Sequence, residues 1–273
     1  MSARFGMATA DGAILDVGGL SVAFGGVHAL SEVSLRVEAG EIVGVVGPNG
    51  SGKSTLLNAV GGLLRGAQVS GRISVLGMAG GRRAATLARA GLGRSFQDPR
   101  LLDDMSLLEN LLCGAHGALS DRSLRWLARP RAARRERALL ERRALELLAA
   151  VGLDGEAWDT SGGKPYATRK LVDLLRAFVC QPRLALLDEP TSGLDARDRS
   201  VVARLVRMLR EQELAGAMLI VEHHFDLLRD TADRVVALSA GSVLLAGPAR
   251  EVLDSEEFKG TLTGTAASAE AGR

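Results

Sequence analysis

Gly47-Pro48-Asn49-Gly50-Ser51-Gly52-Lys53-Ser54 is the stretch on which the reading turns, and Thr55 follows it. It is a complete G-x-x-x-x-G-K-[ST] phosphate loop. Before it runs Glu41-Ile42-Val43-Gly44-Val45-Val46, apolar and rich in β-branched residues, which suits a strand. After it, Thr55-Leu56-Leu57-Asn58-Ala59-Val60 suits a helix. That strand–loop–helix context is what the motif requires. The glycines let successive backbone N–H groups turn inward toward phosphate oxygens. A helix starting near Gly52 adds its positive dipole end. Lys53 would reach the outer phosphates and the Ser54 hydroxyl would ligate Mg²⁺.

The bulk numbers bound what can surround this loop. A chain of 273 residues holds one large domain or two modest ones. At 47% hydrophobic and 3% aromatic, its core must be built from Leu, Val, Ala and Ile. A net charge of +2 argues against a polyelectrolyte partner such as nucleic acid. Cys113 and Cys180 stand without metal-ligand spacing and read as buried thiols in a reducing compartment. No apolar run approaches the ~20 residues of a membrane helix, and the first residues lack a signal peptide's apolar segment. The expectation is a cytoplasmic protein that meets a membrane only through a partner.

Residues 1–12 read as a tail. Ile14-Leu15-Asp16-Val17 and Leu20-Ser21-Val22-Ala23-Phe24 read as two short strands broken at Gly18-Gly19, with Gly25-Gly26 as a hairpin turn. Residues 30–37 alternate apolar and polar, and 72–76 form a further strand, so an antiparallel layer surrounds the loop's strand. Phe24 is either a purine-stacking ring or a strand core residue. Gly91-Leu92-Gly93-Arg94-Ser95-Phe96-Gln97 reads as a strand ending in an amide, and Gln97 suits a Mg²⁺ ligand or a water holder beside a γ-phosphate.

From Ser106 to about Val151 the pattern is helical. Residues 122–143 carry nine arginines, and Leu140, Leu147, Leu148 and Val151 mark an apolar face. The arginines read as a solvated face rather than a nucleic-acid surface, since only Trp126 interrupts them.

The second chemical centre is Arg183-Leu184-Ala185-Leu186-Leu187-Asp188-Glu189-Pro190, a buried parallel strand ending in two carboxylates. Asp188 would contribute to Mg²⁺ binding and Glu189 would polarise an attacking water as general base. Thr191-Ser192-Gly193-Leu194-Asp195 reads as a turn, and 196–210 as an amphipathic helix. Ala217-Met218-Leu219-Ile220-Val221 is another buried strand, running into Glu222-His223-His224 where strand ends open onto ligand. Residues 234–238 and 242–245 read as a hairpin, 249–253 as a short helix, and the chain beyond Gly260 as a loose tail.

This ordered set resembles the ATP-binding subunit of ABC transporters over residues 13–263. The resemblance puts Phe24 at the adenine-stacking position and residues 47–55 on ATP. It makes His223 the switch histidine on the γ-phosphate and places Asp195 in the loop that communicates across a dimer. The segments around Gln97 and His223, and the closing Glu251-Val252-Leu253, resemble the branched-chain (hydrophobic) amino-acid uptake subclass. Lipopolysaccharide-export and urea-uptake ATPases look alike at this level. His224 departs from the subclass, which has Asp there.

The family signature, LSGGQ, departs further. Ser161-Gly162-Gly163 looks like a match, but spacing back from Arg176 puts the signature on Lys164-Pro165-Tyr166-Ala167-Thr168. Pro165 has neither hydroxyl nor N–H, and Ala167 replaces a glycine. A full set of cis residues (Lys53, Asp188, Glu189) beside a degraded trans motif predicts pairing with a different ATPase subunit.

The fold expected is α/β: a P-loop NTPase core of mainly parallel strands, an antiparallel β layer and an inserted helical subdomain. The division expected is 13–97 for the β layer and loop core, 98–180 for the helical subdomain, and 181–260 for the rest of the core, with 261–273 a tail. The resemblance implies an ATP- and Mg²⁺-dependent ATPase. Its partners would be transmembrane permease subunits, a second ATPase subunit and, indirectly, a substrate-binding protein. It would sit on the inner face of the membrane, with a groove near Gln97 receiving a permease helix. Two rivals remain open: a soluble ATPase acting on nucleic acid or ribosomes, and a low-turnover nucleotide-binding scaffold.

Overall fold

The computed structural model describes residues 12–115 and 130–263. The tail assigned to 1–12 apart from Gly12, most of that assigned to 261–273, and residues 116–129 with Trp126 lie outside the described residues. Two sheets organise the chain. A four-stranded antiparallel sheet runs in the order β2-β1-β4-β5, with β1 Ala13–Phe24, β2 Val27–Glu38, β4 Gln68–Val75 and β5 Met78–Ala79. A six-stranded sheet runs in the order β10-β9-β3-β8-β7-β6. Its members are β3 Ile42–Val46, β6 Leu92–Arg94, β7 Leu184–Asp188, β8 Met218–Val221, β9 Arg234–Ser239 and β10 Ser242–Pro248. All its pairings are parallel except the β9–β10 hairpin.

The alternation of side chains along each strand divides the interior into two cores. Val43 and Val45, Leu184 and Leu186, Leu219 and Val221, and Val236 and Leu238 face the antiparallel sheet. Between the sheets they meet Leu56, Leu57 and Val60 of α1, Lys53–Val60, and Leu87 of α2, Ala84–Arg89. Ile42, Val46, Ala185, Leu187, Met218, Ile220, Val235 and Ala237 face the opposite way. There they meet α3 Leu107–Cys113, α4 Pro130–Ala150, α5 Tyr166–Arg176, α6 Ala196–Glu211 and α7 Phe225–Thr231. Burying a side chain of this size is worth about 1.5–3 kcal/mol. Double-sided burial therefore holds the middle strands firmly. The second core also includes Val252, Leu253 and Phe258, from α8 Ala249–Asp254 and α9 Glu256–Thr263.

Several local expectations are corrected. The strands proposed around Gly18-Gly19 are one strand, whose register shifts between Val17 and Leu20. Side-chain hydroxyls absorb the irregularity: Gly19 N donates to Ser34 Oγ (2.9 Å) and Glu32 N to Ser21 Oγ (2.9 Å). The strand expected through Gln97 ends at Arg94, because the backbone of 96–100 is bound to α5 instead. The last helix continues to Thr263, three residues into the segment read as tail. Cys113 is exposed and only Cys180 is largely covered, so the pair are not both buried thiols. The exposed Arg134, Arg135, Arg137 and Arg142 of α4 do form a solvated face opposite Leu140, Leu147 and Leu148.

A polar centre ties the loop before α3 to the loop before α5. Ser106 and Glu109 cap α3 reciprocally. Asn110 is fully buried; its Nδ2 donates to Leu102 O, Met105 O, Ser106 O and Ser161 Oγ, and its Oδ1 accepts from Leu102 N (2.8 Å). Asn110→Ala should lower stability by about 1–3 kcal/mol, read as a shift of the denaturant midpoint, because it leaves the Leu102 N–H without its acceptor. Burial pushes the Cys180 thiol above its ordinary value. Its thiolate is therefore scarcer at pH 8. Alkylation followed by mass spectrometry should modify Cys113 first; equal rates at the two thiols would contradict this packing.

Candidate active site

The phosphate loop lies between β3 and α1, and its glycines occupy places closed to side chains. Gly47 has φ 149°, and a Cβ there would fall 2.2 Å from Leu238 O and 2.7 Å from Ser51 Oγ. Gly52 has φ 99° and caps α1; a Cβ there would fall 2.6 Å from Ala29 O. The loop thus winds against β2 and β9 in a path that L side chains resist. Lys53 is 5% exposed, and its Nζ donates to Gly47 O and Pro48 O, each at 2.8 Å. Burial lowers its pKa, and the charges of Glu189 and Asp188 pull the other way. Asn49, Gly50 and Ser54 open to solvent; Pro48 and Thr55 are half-covered. Ser51 Oγ is buried with no hydrogen-bond partner.

The neighbouring strand ends bring the acids to the same edge. Asp188 ends β7 and Glu189 follows, 6% and 7% exposed. Burial raises the Asp188 pKa, against the opposing charge of Arg94. Asp188 Oδ2 lies 3.7 Å from Arg94 Nη2, and Oδ1 is buried with no partner. Glu189 has φ 48°, a left-handed conformation that costs an L residue about 1–2 kcal/mol. Its N–H bonds to Val221 O (2.9 Å), and its Oε1 lies 2.7 Å from Nε2 of His223. Lys53, Asp188, Glu189 and His223, drawn from three separate motifs, therefore form one cluster.

Phe24, Gln97 and Asp195 are brought in as exposed side chains rather than as partners of that cluster. Phe24 ends β1 at 37% exposure, outside both cores, which removes the core-residue alternative. Asp195 caps α6 through Asp198 N (2.8 Å). Pro165 is the N-cap of α5 and has no capping side-chain bond; Tyr166, Ala167 and Thr168 form the first turn. The Tyr166 ring lies over Gly193, whose Cβ would fall 2.7 Å from Tyr166 Cε1. Lys164 is held by Asp159 and Glu156 at 2.7 Å each. Ser161 is fully buried and donates its hydroxyl to Leu102 O (2.8 Å), so the Ser161-Gly162-Gly163 look-alike is used inside the fold.

Four polar residues escaped the sequence reading. Glu222 is 1% exposed; its carboxylate accepts from Thr191 N (2.7 Å), Thr191 Oγ1 (2.5 Å), His223 N (2.8 Å) and His224 N (3.1 Å). It joins the turn after Glu189 to the histidine segment. Arg94 donates to Leu57 O (3.0 Å) and Asn58 Oδ1 (2.7 Å), tying α1 to Asp188. Lys170 and Asp173 of α5, both nearly fully buried, hold the backbone of Phe96, Gln97 and Arg100. The available signal was charge on apolar surfaces: Arg94 at the end of a strand, Lys170 and Asp173 among leucines. Beside this segment runs a groove of about 320 Å³ lined by Arg94, Phe96, Cys113, Arg176 and Cys180, among others.

Comparison with known proteins agrees with this geometry. The family profile described as ABC transporter matches residues 30–192. The high-affinity branched-chain amino acid transport ATP-binding protein BraF of Pseudomonas aeruginosa is 32% identical over 255 residues, covering 89% of this chain and 95% of that protein. A probable branched-chain amino acid transport ATP-binding protein of Archaeoglobus fulgidus is 33% identical, covering 89% and 92%. A sulfate/thiosulfate import ATP-binding protein of Bordetella parapertussis is 35% identical, covering 87% of this chain and 63% of that protein. A crystal structure of an ATP-binding cassette of an ABC transporter in its ADP conformation superposes with TM-score 0.74 at 26% identity, covering 91% of this chain and 98% of that one. With the loop, the strand-end carboxylates and the histidine assembled at one edge, the chain belongs to the ABC transporter family and is an ATPase of that family.

Proposed function

We propose that this chain powers uptake of branched-chain or other hydrophobic amino acids, hydrolysing ATP on behalf of separate transmembrane subunits. The observation that carries the hydrolytic role is the 2.7 Å contact between His223 Nε2 and Glu189 Oε1, at strand ends beside the buried Lys53. The substrate class rests on the names of the most similar relatives. The sulfate relative matches over a smaller share of its own length.

Each residue then has a role. The backbone of residues 47–55 surrounds the phosphates, and Lys53 turns from Gly47 O and Pro48 O toward them. Phe24 stacks on the adenine. Ser54, Asp188 and Gln97 would hold Mg²⁺, and the buried, unpartnered Asp188 Oδ1 fits that role. When bound there, the ion would neutralise charge at the transferring phosphoryl group. Glu189 accepts the proton of the attacking water. His223 donates from Nε2 to Glu189 Oε1, which aims the carboxylate; Glu222 fixes the histidine's backbone. Residues 165–168 and Asp195 serve the site of a second ATPase subunit, and the groove beside Phe96 takes a permease helix. The units remain 13–97, 98–180 and 181–260. Attachment to the inner membrane face runs through the permease, with a substrate-binding protein beyond it. Among the described residues, no helix is long and apolar enough to cross a membrane.

The test is ATP turnover by the purified chain beside Glu189→Gln. The variant should lose about 10²–10⁴-fold in kcat while still binding ATP; turnover at the native rate would remove Glu189 from the mechanism. Co-expression with neighbouring permease subunits and vesicle uptake of labelled leucine against sulfate decides the substrate class. The signature is tested by Pro165→Ser with Ala167→Gly. This double change should raise homodimer turnover by about tenfold if the first turn of α5 limits the phosphate contact. A native chain already that fast would rule out the unequal dimer.

A further inference from the structure

A cavity of about 280 Å³ lies where α4 meets the turn after α5 and the C-terminal end of α6. It shares no residue with the cluster at the strand ends. Its apolar lining comes from the buried Leu147 and Phe178 and the half-buried Met208 and Leu214, all packed on one core. The rest of its lining is polar: Arg143 and Glu146 of α4, Gln181 of the turn, and Gln212, which caps α6. None of these four side chains has a hydrogen-bond or ion-pair partner among the described residues. Arg143 and Glu146 stand three residues apart on one helix, which places their Cβ atoms about 5–6 Å from each other. Opposite charges at that spacing can pair along a helix. These two do not pair, and both line the cavity instead. An apolar pocket with a few convergent polar groups is the anatomy of a small-molecule site, and this one is near the small end of the range.

We propose that this cavity binds a free hydrophobic amino acid, with Arg143 on its carboxylate, Glu146 on its ammonium, and its side chain against Leu147, Phe178, Met208 and Leu214. The lining selects that class. A fatty acid or other anionic amphiphile would satisfy Arg143 and be repelled by Glu146. An alkylamine would satisfy Glu146 and be repelled by Arg143. An amino acid carries both charges on one carbon and so meets both groups at once. The planar guanidinium suits a carboxylate, and the amides of Gln181 and Gln212 supply further donors and acceptors. Met208 is unbranched and adapts to apolar side chains of different shape. A polar solute such as a sugar would leave the apolar lining without a partner. The volume admits one small molecule and not a partner's helix, which is about 10–12 Å across. An occupant would bridge α4 and α6, which are separated in the chain by α5 and β7. The site is inferred from its own lining and does not depend on the transport reading, although the class of compound is the same.

The experiment is calorimetric titration of the full chain with L-leucine, leucinamide, isocaproate and glycine. These probes keep both charges and the side chain, or lack the carboxylate, the ammonium or the side chain in turn. Leucine should bind, and each of the other three should bind about tenfold more weakly or worse, the factor that one charge-assisted hydrogen bond supplies. Arg143→Met should weaken leucine by about tenfold and bring it level with leucinamide. Glu146→Gln should weaken leucine likewise and bring it level with isocaproate. Both variants should keep the native melting temperature and ATP turnover. Alkylation of Cys180 should slow when leucine is bound, because the charge of Arg143 favours the thiolate and a carboxylate offsets that charge. Absence of leucine binding, equal binding of glycine, or native leucine affinity in both variants overturns the proposal; an unchanged Cys180 rate puts leucine elsewhere and does the same. If either variant fails to fold, the four probes on the native chain decide. Vesicles that take up sulfate and not leucine would end the transport reading and leave this site standing, whereas leucine uptake by a chain that fails the titration ends this site alone.

Discussion

Two hydrogen bonds carry the parallel ladder one step past its strands. Glu222 N donates to Val45 O (3.2 Å), and Glu189 N donates to Val221 O (2.9 Å). These bonds couple the ends of β3, β8 and β7, which lie side by side and point the same way. Everything chemical in the molecule depends on that alignment. The phosphate loop, Glu222-His223 and Asp188-Glu189 are far apart in sequence, yet each leaves its strand at the same edge. The alignment is held by burial on both faces, because a one-residue slip of β7 or β8 would exchange the two cores.

The edge is wired by buried charge as well as by backbone. Glu222 gathers amides from both sides of the site, Arg94 ties α1 to Asp188, and Lys170 with Asp173 fixes the segment bearing Gln97. Each of these groups is expensive to desolvate and is satisfied by several partners at once. Their common effect is to leave the loops after the strands with few alternative paths. The left-handed Glu189 is the local strain this network sustains. The lysine of the loop, drawn back onto its own carbonyls, is kept buried by the same packing.

The cluster at the strand ends and the first turn of α5 are held very differently. The cis cluster is complete and tightly held. The face presented by α5 starts at a proline with no capping bond, and its nearest basic group, Lys164, is bound to two carboxylates. A helix N-terminus still offers amides to an anion, but here its N-cap residue supplies neither an N–H nor a hydroxyl. Under the proposal made above, that difference fits a second ATPase subunit with a better face toward this chain's own loop.

Local chemistry was enough to read residues 41–60, the strand before Asp188, the hairpin at Gly25-Gly26 and the apolar face of α4, because each depends on short-range periodicity or on glycine stereochemistry. The motif order likewise predicted that Lys53, Asp188, Glu189 and His223 would meet, since parallel strands open at one edge. Phe24 stayed ambiguous until its exposure was known, because a strand pattern does not say which strand end lies outside a core. The bend at 96–100, the real use of Ser161 and the hub at Glu222 depend on contacts between segments far apart in sequence. No window of sequence contains both partners of such a contact. By itself the sequence determined most of the elements, the nucleotide loop and the family. Only the tertiary structure decided which buried charges hold the loops, because a charge on an apolar face acquires meaning from the backbone it is packed against.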